Sequence, residues 1–273
     1  MKPSQRVATV LMVLVAALFL APAILMVLTS FKTSAEVLNP STLIPHPWST
    51  YGYAKALKYS EESPMLQWLL NSLLVSTSVT FLVLLVSSMG AFAIARLKVK
   101  GAARFLTIIV ISMMIPGQLF LIPVYLILNW LHWLDTPLAL IIPATAGGFG
   151  VFMLTQFMKS IPASLEEAAV IDGCSLWRIY TDICVPLIAP AMATLGIFTF
   201  IGSWNDFLGP LVYMDSVRNY TLPVGIALYQ SSYFTEYSLT LATSVLGTAP
   251  LIIVFLIFQK QIVASMATSG LKD

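Results

Sequence analysis

Charge is what this chain lacks. Only 10% of its 273 residues are Asp, Glu, Lys or Arg, while 58% are hydrophobic. A soluble domain carries about a quarter charged residues, so an ordinary water-facing surface is excluded. Cysteine and histidine are scarce too, with two of each. Cys174 and Cys184 stand ten positions apart, a spacing that suits neither a zinc pattern nor a disulfide framework, so they read as free thiols. His46 and His132 are isolated in the chain and offer no metal cluster and no Ser/His/Asp arrangement. No G-x-x-x-x-G-K-[ST] phosphate loop is present. The GGFG at 147–150 lacks the lysine, and its glycines read as close-packing positions in a helix. No cofactor or metal site and no enzyme activity is therefore expected. A net charge of +2, with no basic run interleaved with aromatics, also excludes nucleic acid as a partner.

What the chain has is long uncharged runs. About 30 Å of hydrocarbon at 1.5 Å per residue needs about 20 apolar residues. Six runs meet that length, at roughly 7–31, 66–95, 105–128, 138–158, 187–213 and 239–258. The first follows Lys2 and Arg6 like a signal peptide, but its apolar core exceeds a signal h-region and reads as a retained anchor. None of the runs alternates with period two, which excludes barrel strands. The expected fold is all-α: one polytopic domain over 1–273 with six transmembrane helices. Prolines 116, 123, 143, 190, 210 and 250 mark expected kinks or breaks.

Basic residues set the direction. With six spans, Lys2, Arg6, Arg96, Lys98, Lys100, Arg104, Lys159, Arg178, Lys260 and Lys272 share the side of the termini, ten of the fourteen. The other side holds Lys32, Lys55, Lys58 and Arg218. That bias places both termini in the cytoplasm. Trp48, Tyr51, Tyr53, Trp68, Trp130, Trp133, Tyr229 and Tyr233 then fall at or beyond the outer ends, partly as an interfacial belt.

One segment breaks the apolar pattern. Residues 160–186 hold Glu166, Glu167, Asp172, Arg178 and Asp182, and on this topology they are cytoplasmic. Ser164 and Glu167 have capping-box spacing, Gly173 can end the helix left-handed, and Ser175 can cap a second helix over 176–182. Periodicity alone also permits a short amphipathic helix lying on the membrane surface.

The spacing Glu167-Ala168-Ala169, three residues, Gly173, nine residues, Ile183-x-Val185-Pro186 resembles the EAA motif. That motif marks membrane subunits of binding-protein-dependent ATP-binding-cassette importers; Val185 stands where leucine is commoner. AFAIAR (91–96), IDGCSLWRIY (171–180), IFTFIGSWNDFLGPL (197–211) and YTLPVG (220–225) are similar to the carbohydrate-uptake, maltose-type class, in particular its shorter membrane subunit. The likeness is strongest from about 90 onward. It implies that the first helix of the segment is a coupling helix seated in a cleft of a cytosolic ATPase. Glu167 then faces a basic group there, Ala168 and Ala169 allow close approach, and Gly173 sets the turn. Glu166, Asp172 and Pro186 belong to the same coupling segment. The implied partners are a second permease subunit, two ATPase subunits, an extracytoplasmic solute-binding protein and membrane lipid, in a bacterial-type inner membrane.

Polar residues inside spans mark packing contacts or a pathway. Asn71, Gln118, Asn205 and Asp206 are the pathway candidates, and their chemistry suits a sugar or related polyol. An ion-gradient-driven secondary transporter is the competing expectation; it calls for ionisable residues at mid-membrane and an internal repeat, and neither is visible.

Overall fold

The computed structural model describes residues 3–39, 42–58, 61, 63–97, 99–230 and 236–269. The side chains of Lys2, Arg6, Lys98, Tyr233, Lys260 and Lys272 lie outside the description. The architecture is all-helical, as expected.

Three of the apolar runs are single helices long enough to cross a membrane: Val7–Ser30, Met65–Arg96 and Tyr237–Gln259. The other three are each broken. Ala102–Ser112 and Gly117–Trp130 meet at 90°, Leu138–Ala144 and Gly148–Lys159 at 41°, and Leu176–Leu187 and Ala189–Trp204 at 75°. A count of six spans requires each bent pair to be one span.

The breaks have local causes. Pro116 sits extended (φ −59°, ψ 126°) before the tight Gly117–Phe120 turn, since proline supplies no amide and disfavours helix in the residue before it. Pro143 lies near the end of Leu138–Ala144, and Gly147 then adopts an extended conformation (ψ 121°). Pro186 and Pro190 flank Ile188, which leaves the helical region (φ −96°, ψ 7°). Pro250, by contrast, is absorbed inside a continuous helix.

The chain forms two compact units, residues 1–69 with 222–250, and residues 70–221 with 251–273. In the first, Trp68 is fully buried and meets Tyr229 at 5.7 Å with the rings tilted by 52°. The indole occupies the space a side chain at Gly225 would need. Trp68 and Tyr229 thus pack inside the protein and are not part of an interfacial belt, whereas Trp130, 78% exposed, fits one. Phe31 meets Trp48 at 5.6 Å and Tyr53 at 5.0 Å, and Lys55 pairs with Glu236 at 2.5 Å.

In the second unit Val75, Val79, Leu154, Met158, Cys184 and Leu195 form the heart of a buried cluster. Of the GGFG glycines, Gly148 and Gly150 serve packing. A Cβ on Gly150 would overlap the Ser87 hydroxyl and lie 3.1 Å from Leu195 Cδ2, and one on Gly148 would lie 2.9 Å from Ile109. A Gly150→Val substitution is expected to destabilise the unit by about 2 kcal/mol through forced displacement of the Met65–Arg96 helix. Thermal unfolding in nanodiscs checks this.

A polar latch joins two connecting loops of the same unit. Asp135, at φ 59°, accepts hydrogen bonds from the Asp215 amide (3.1 Å), the Ser216 amide (3.0 Å) and the Ser216 hydroxyl (2.5 Å). Asn219 donates back to the Asp135 carbonyl at 2.8 Å. Burial pushes the Asp135 carboxyl up, but the Ser216 and Asp215 donors outweigh it and hold the carboxyl below its usual range. A depressed folded value means the stabilisation is complete above the unfolded value of about 3.9 and fades only as pH falls through the folded one. Amide exchange at 215–216 should therefore stay slow from neutral pH down to about 4, and Asp135→Ala should accelerate it across that range.

Candidate functional site

The acidic segment folds as two helical pieces around a glycine turn. Ala163–Ile171 starts on Pro162 (φ −59°, ψ 132°), with no side-chain cap. The expected capping box is absent: the helix begins before Ser164, which puts that hydroxyl in the first turn rather than at the cap. The other end is as expected. Gly173 is left-handed (φ 78°), its amide donates to the Val170 carbonyl at 3.1 Å, and the Cys174 amide donates to the Ala169 carbonyl at 2.9 Å. This paired arrangement satisfies the last carbonyls and needs a residue without Cβ strain at 173. Ser175 then caps Leu176–Arg178 by accepting from the Arg178 amide at 3.3 Å. From Ile179 to Cys184 the chain widens into a π-helical turn before Val185–Leu187, whose second residue is Pro186.

The two glutamates part company. Successive helix positions lie about 100° apart, so only one can face the body of the protein. Glu166 does: its Oε1 lies 2.8 Å from Arg96 Nε, with side chains only 18% and 10% exposed respectively. The Arg96 Nε hydrogen is not aligned on the carboxylate, so this contact is an ion pair rather than a hydrogen bond. Arg96 Nη2 donates to the Ile161 carbonyl at 2.7 Å and to the Met158 carbonyl. One guanidinium, at the end of the Met65–Arg96 helix, thus holds the end of Gly148–Lys159 and the start of Ala163–Ile171. Cys184 Sγ approaches Glu166 Oε1 at 3.9 Å. Burial, and then the Glu166 charge, push this thiol up to about 11, so it stays protonated at neutral pH.

Glu167 points outward, with no ion pair among the described residues. Ala168 is exposed beside it, while Ala169 is buried in the protein's own core, so its small size serves internal packing. Asp172 is exposed at the helix end. The segment carries exposed apolar side chains that the sequence reading did not single out, Leu165, Val170, Ile171 (85% exposed), Leu176 and Trp177 (61%), of which Val170, Ile171 and Leu176 share a surface with Glu167. Beneath it runs a groove of about 490 Å³ with Phe92, Ala95 and Arg96 on one wall and Glu166, Val170 and Ile179 on the other. Exposed apolar side chains clustered around a charge mark an interaction surface. What holds the segment is stiff: Tyr180, in the π turn, bonds Ser88 at 2.7 Å and packs 5.3 Å from both Phe92 and Trp177.

The pathway candidates scatter. Asn71 donates to the Arg218 and Tyr220 carbonyls, both at 2.9 Å, and pins a loop. Asn205 donates to Ile201 O at 2.9 Å and ends its own helix. Gln118 and Asp206, in contrast, line one cavity of about 780 Å³.

Comparison with known proteins agrees with this arrangement. Residues 86–268 match the family described as binding-protein-dependent transport system inner membrane component. The sulfoquinovosyl glycerol transport system permease of Agrobacterium fabrum is 37% identical over 93% of this chain and 89% of its own. The trehalose/maltose transport system permease of Thermococcus litoralis is 32% identical over 95% and 94%. In fold, a chain of a bacterial ABC transporter that imports the acidic polysaccharide alginate superposes with a TM-score of 0.80, at 23% identity, over 95% of this chain and 98% of that one.

The ion pair yields an ordering. Arg96→Met leaves a carboxylate and two carbonyls without their partner and is expected to cost about 3 kcal/mol of stability. Glu166→Gln removes only the carboxylate and should cost less, and the double variant should cost less than the two single losses added. Chemical or thermal unfolding of the purified protein measures all three.

Proposed function

The chain belongs to the binding-protein-dependent transport system inner membrane component family, as a non-catalytic, multi-pass permease subunit of an ATP-binding-cassette importer, and from that premise we propose that it forms half of a sugar or polyol pathway and couples to a cytosolic ATPase through residues 163–187. One observation carries the coupling role: Glu167 and its apolar surround face outward from a segment that Arg96 and Tyr180 tie to the Met65–Arg96 helix. A surface held this way passes a push to the helix instead of absorbing it, which is the mechanical requirement for rigid-body switching.

In this reading the complex holds a second permease, two ATPase subunits and an extracytoplasmic solute-binding protein. The single domain spans the membrane six times, two of the spans broken and the fifth entered at a 75° bend from the coupling segment, with both termini in the cytoplasm. The basic-residue bias supports that direction, and it puts the acidic segment on the ATPase side. The segments 32–65 and 214–238 supply the surface for the binding protein on the opposite side, and Asp135 latches residues 215–216 of the latter. Trehalose, maltose and sulfoquinovosyl glycerol, the solutes in the relatives' names, are all hydroxyl-rich. They support a carbohydrate as cargo.

On this proposal Glu167→Lys reverses a contact charge without touching the core. In vesicles carrying the whole complex it should lower binding-protein-stimulated ATP hydrolysis about tenfold, the size of one lost interfacial charge pair. Ile171→Asp should weaken recovery of the ATPase subunits with the permease. Stimulation and recovery at wild-type levels in both variants would count against the coupling role.

A further inference from the structure

Three helix interruptions converge on one place. The wall of the 780 Å³ cavity includes Ser112 and Gly117 from the first bent pair, Ala144 and Gly147 from the second, and Asp206 and Gly209 from the break that follows Trp204. Breaks within apolar spans leave backbone amides and carbonyls without helical partners, and these are tolerated at membrane depth where they line a cavity. A second cavity of about 270 Å³ shares Leu140, Ala144 and Asp206 with the first and adds Thr199, Ser203 and Thr221. Asp206 therefore stands at the junction of the two.

The carboxylate is placed there by the chain itself. Asn205 and Asp206 follow the end of Ala189–Trp204, and the Gly209 amide donates to Asp206 Oδ1 at 3.4 Å. A Cβ at Gly209 would lie 2.7 Å from Asp206 Oδ2, so a larger residue there would displace the carboxylate. No lysine or arginine pairs with Asp206 among the described residues. Thr221 is 4% exposed and its hydroxyl has no hydrogen-bond partner. The Asp206 carboxylate is exposed and also accepts from the Phe207 and Leu208 amides, so local donors hold it in place with its outer face open to the cavity. The buried Thr221 hydroxyl without a partner costs free energy unless a ligand completes it.

We propose that Asp206, with Ser203, Thr199 and Thr221, forms a subsite in this subunit for one ring of a neutral polyhydroxylated solute, entered from the larger cavity past Gln118. The Asp206 carboxylate accepts hydrogen bonds from two adjacent solute hydroxyls, and Thr221 supplies the third contact. The remaining walls, Val75, Val79 and Leu140, offer the apolar face that a sugar ring's C–H groups require. A lining with Asp206 and no lysine or arginine disfavours an anionic cargo at this point. This inference rests on the importer reading above and names where in this chain the solute is held.

The test uses the importer purified whole with its partner subunits and reconstituted in vesicles, with radiolabelled trehalose, maltose and raffinose as probes. Wild type identifies the reporter sugar by uptake. Asp206→Leu is expected to raise its half-saturating concentration about tenfold or more, and Asp206→Asn and Thr221→Val about threefold each, the scale of hydrogen bonds lost to a charged and to neutral groups. Thr221→Ser should restore the wild-type value. Recovery of each variant in wild-type amount with its partners excludes misfolding. Half-saturation unchanged in all the variants overturns the subsite while leaving the importer reading intact. Equal loss in Asp206→Asn and Asp206→Leu overturns it too, by showing that the charge and not the hydrogen bonds is used. Uptake of none of the three sugars by wild type overturns the reading beneath it.

Discussion

The organisation of the larger unit depends on the guanidinium of Arg96. It terminates a 32-residue helix, where a cation favours the helix dipole and can reach carbonyls that the helix ends leave unpaired. Two of its contacts go to the carbonyls of Met158 and Ile161, around the end of Gly148–Lys159, and the third to Glu166. Lysine cannot do this. It carries a point charge on a flexible stem, whereas the guanidinium fork spreads its donors over a plane and holds several acceptors at once. A largely buried ion pair adds little net stability against a well-packed apolar substitute. Its value here is geometric, since it allows one arrangement of three elements and penalises the others.

That geometry explains why two adjacent glutamates serve opposite purposes. Glu166 is consumed in holding the segment to its own protein, and Glu167, about 100° further round the helix, stays exposed. Ala168 and Ala169 divide in the same way, one exposed and one in the core. The run Glu-Glu-Ala-Ala therefore contains an inner pair of roles and an outer pair. The spacing of such residues shows that a helix presents something, but not which face is turned inward, because that depends on the direction in which Pro162 delivers the chain.

Much of the fold was legible because it follows from composition and from local punctuation. Apolar runs of span length and the turn at Gly173 could be read residue by residue, since hydrocarbon thickness and left-handed backbone each admit few solutions. The glycines at 148 and 150 were legible as packing positions for the same reason. The size of the breaks was not: Pro116 announces an interruption, while the 90° turn there comes from how the following pieces pack. Trp68 misled because an aromatic near a span end looks the same whether it faces lipid or, as here, fills the space above Gly225. Ser164 misled because capping-box spacing is satisfied by sequence alone, whereas the cap also needs the helix to start there. The exposed Ile171 and Trp177 went unnoticed because single apolar residues in a mostly apolar chain carry no contrast.

The proportions of the outward surface bear on how a stroke is delivered. Most of it is apolar, from Leu165 through Trp177, with Glu167 and Asp172 set among those side chains. Apolar contact is non-directional and scales with the area removed from water, so it tolerates some rotation of a partner without loss. A charge in its midst does not, because its interaction depends on distance and on one particular counter-charge. An element built this way can stay attached while its partner turns and still be pulled along one line. Behind it, Tyr180 and Arg96 leave little slack, and the first bend the force meets is at Ile188, between two prolines, where the chain turns 75° into Ala189–Trp204. That helix ends one residue short of Asn205 and two short of Asp206. One bend and one straight helix therefore separate the acidic segment from the polar residues at the junction of the cavities, the route a displacement would take on the proposed coupling role.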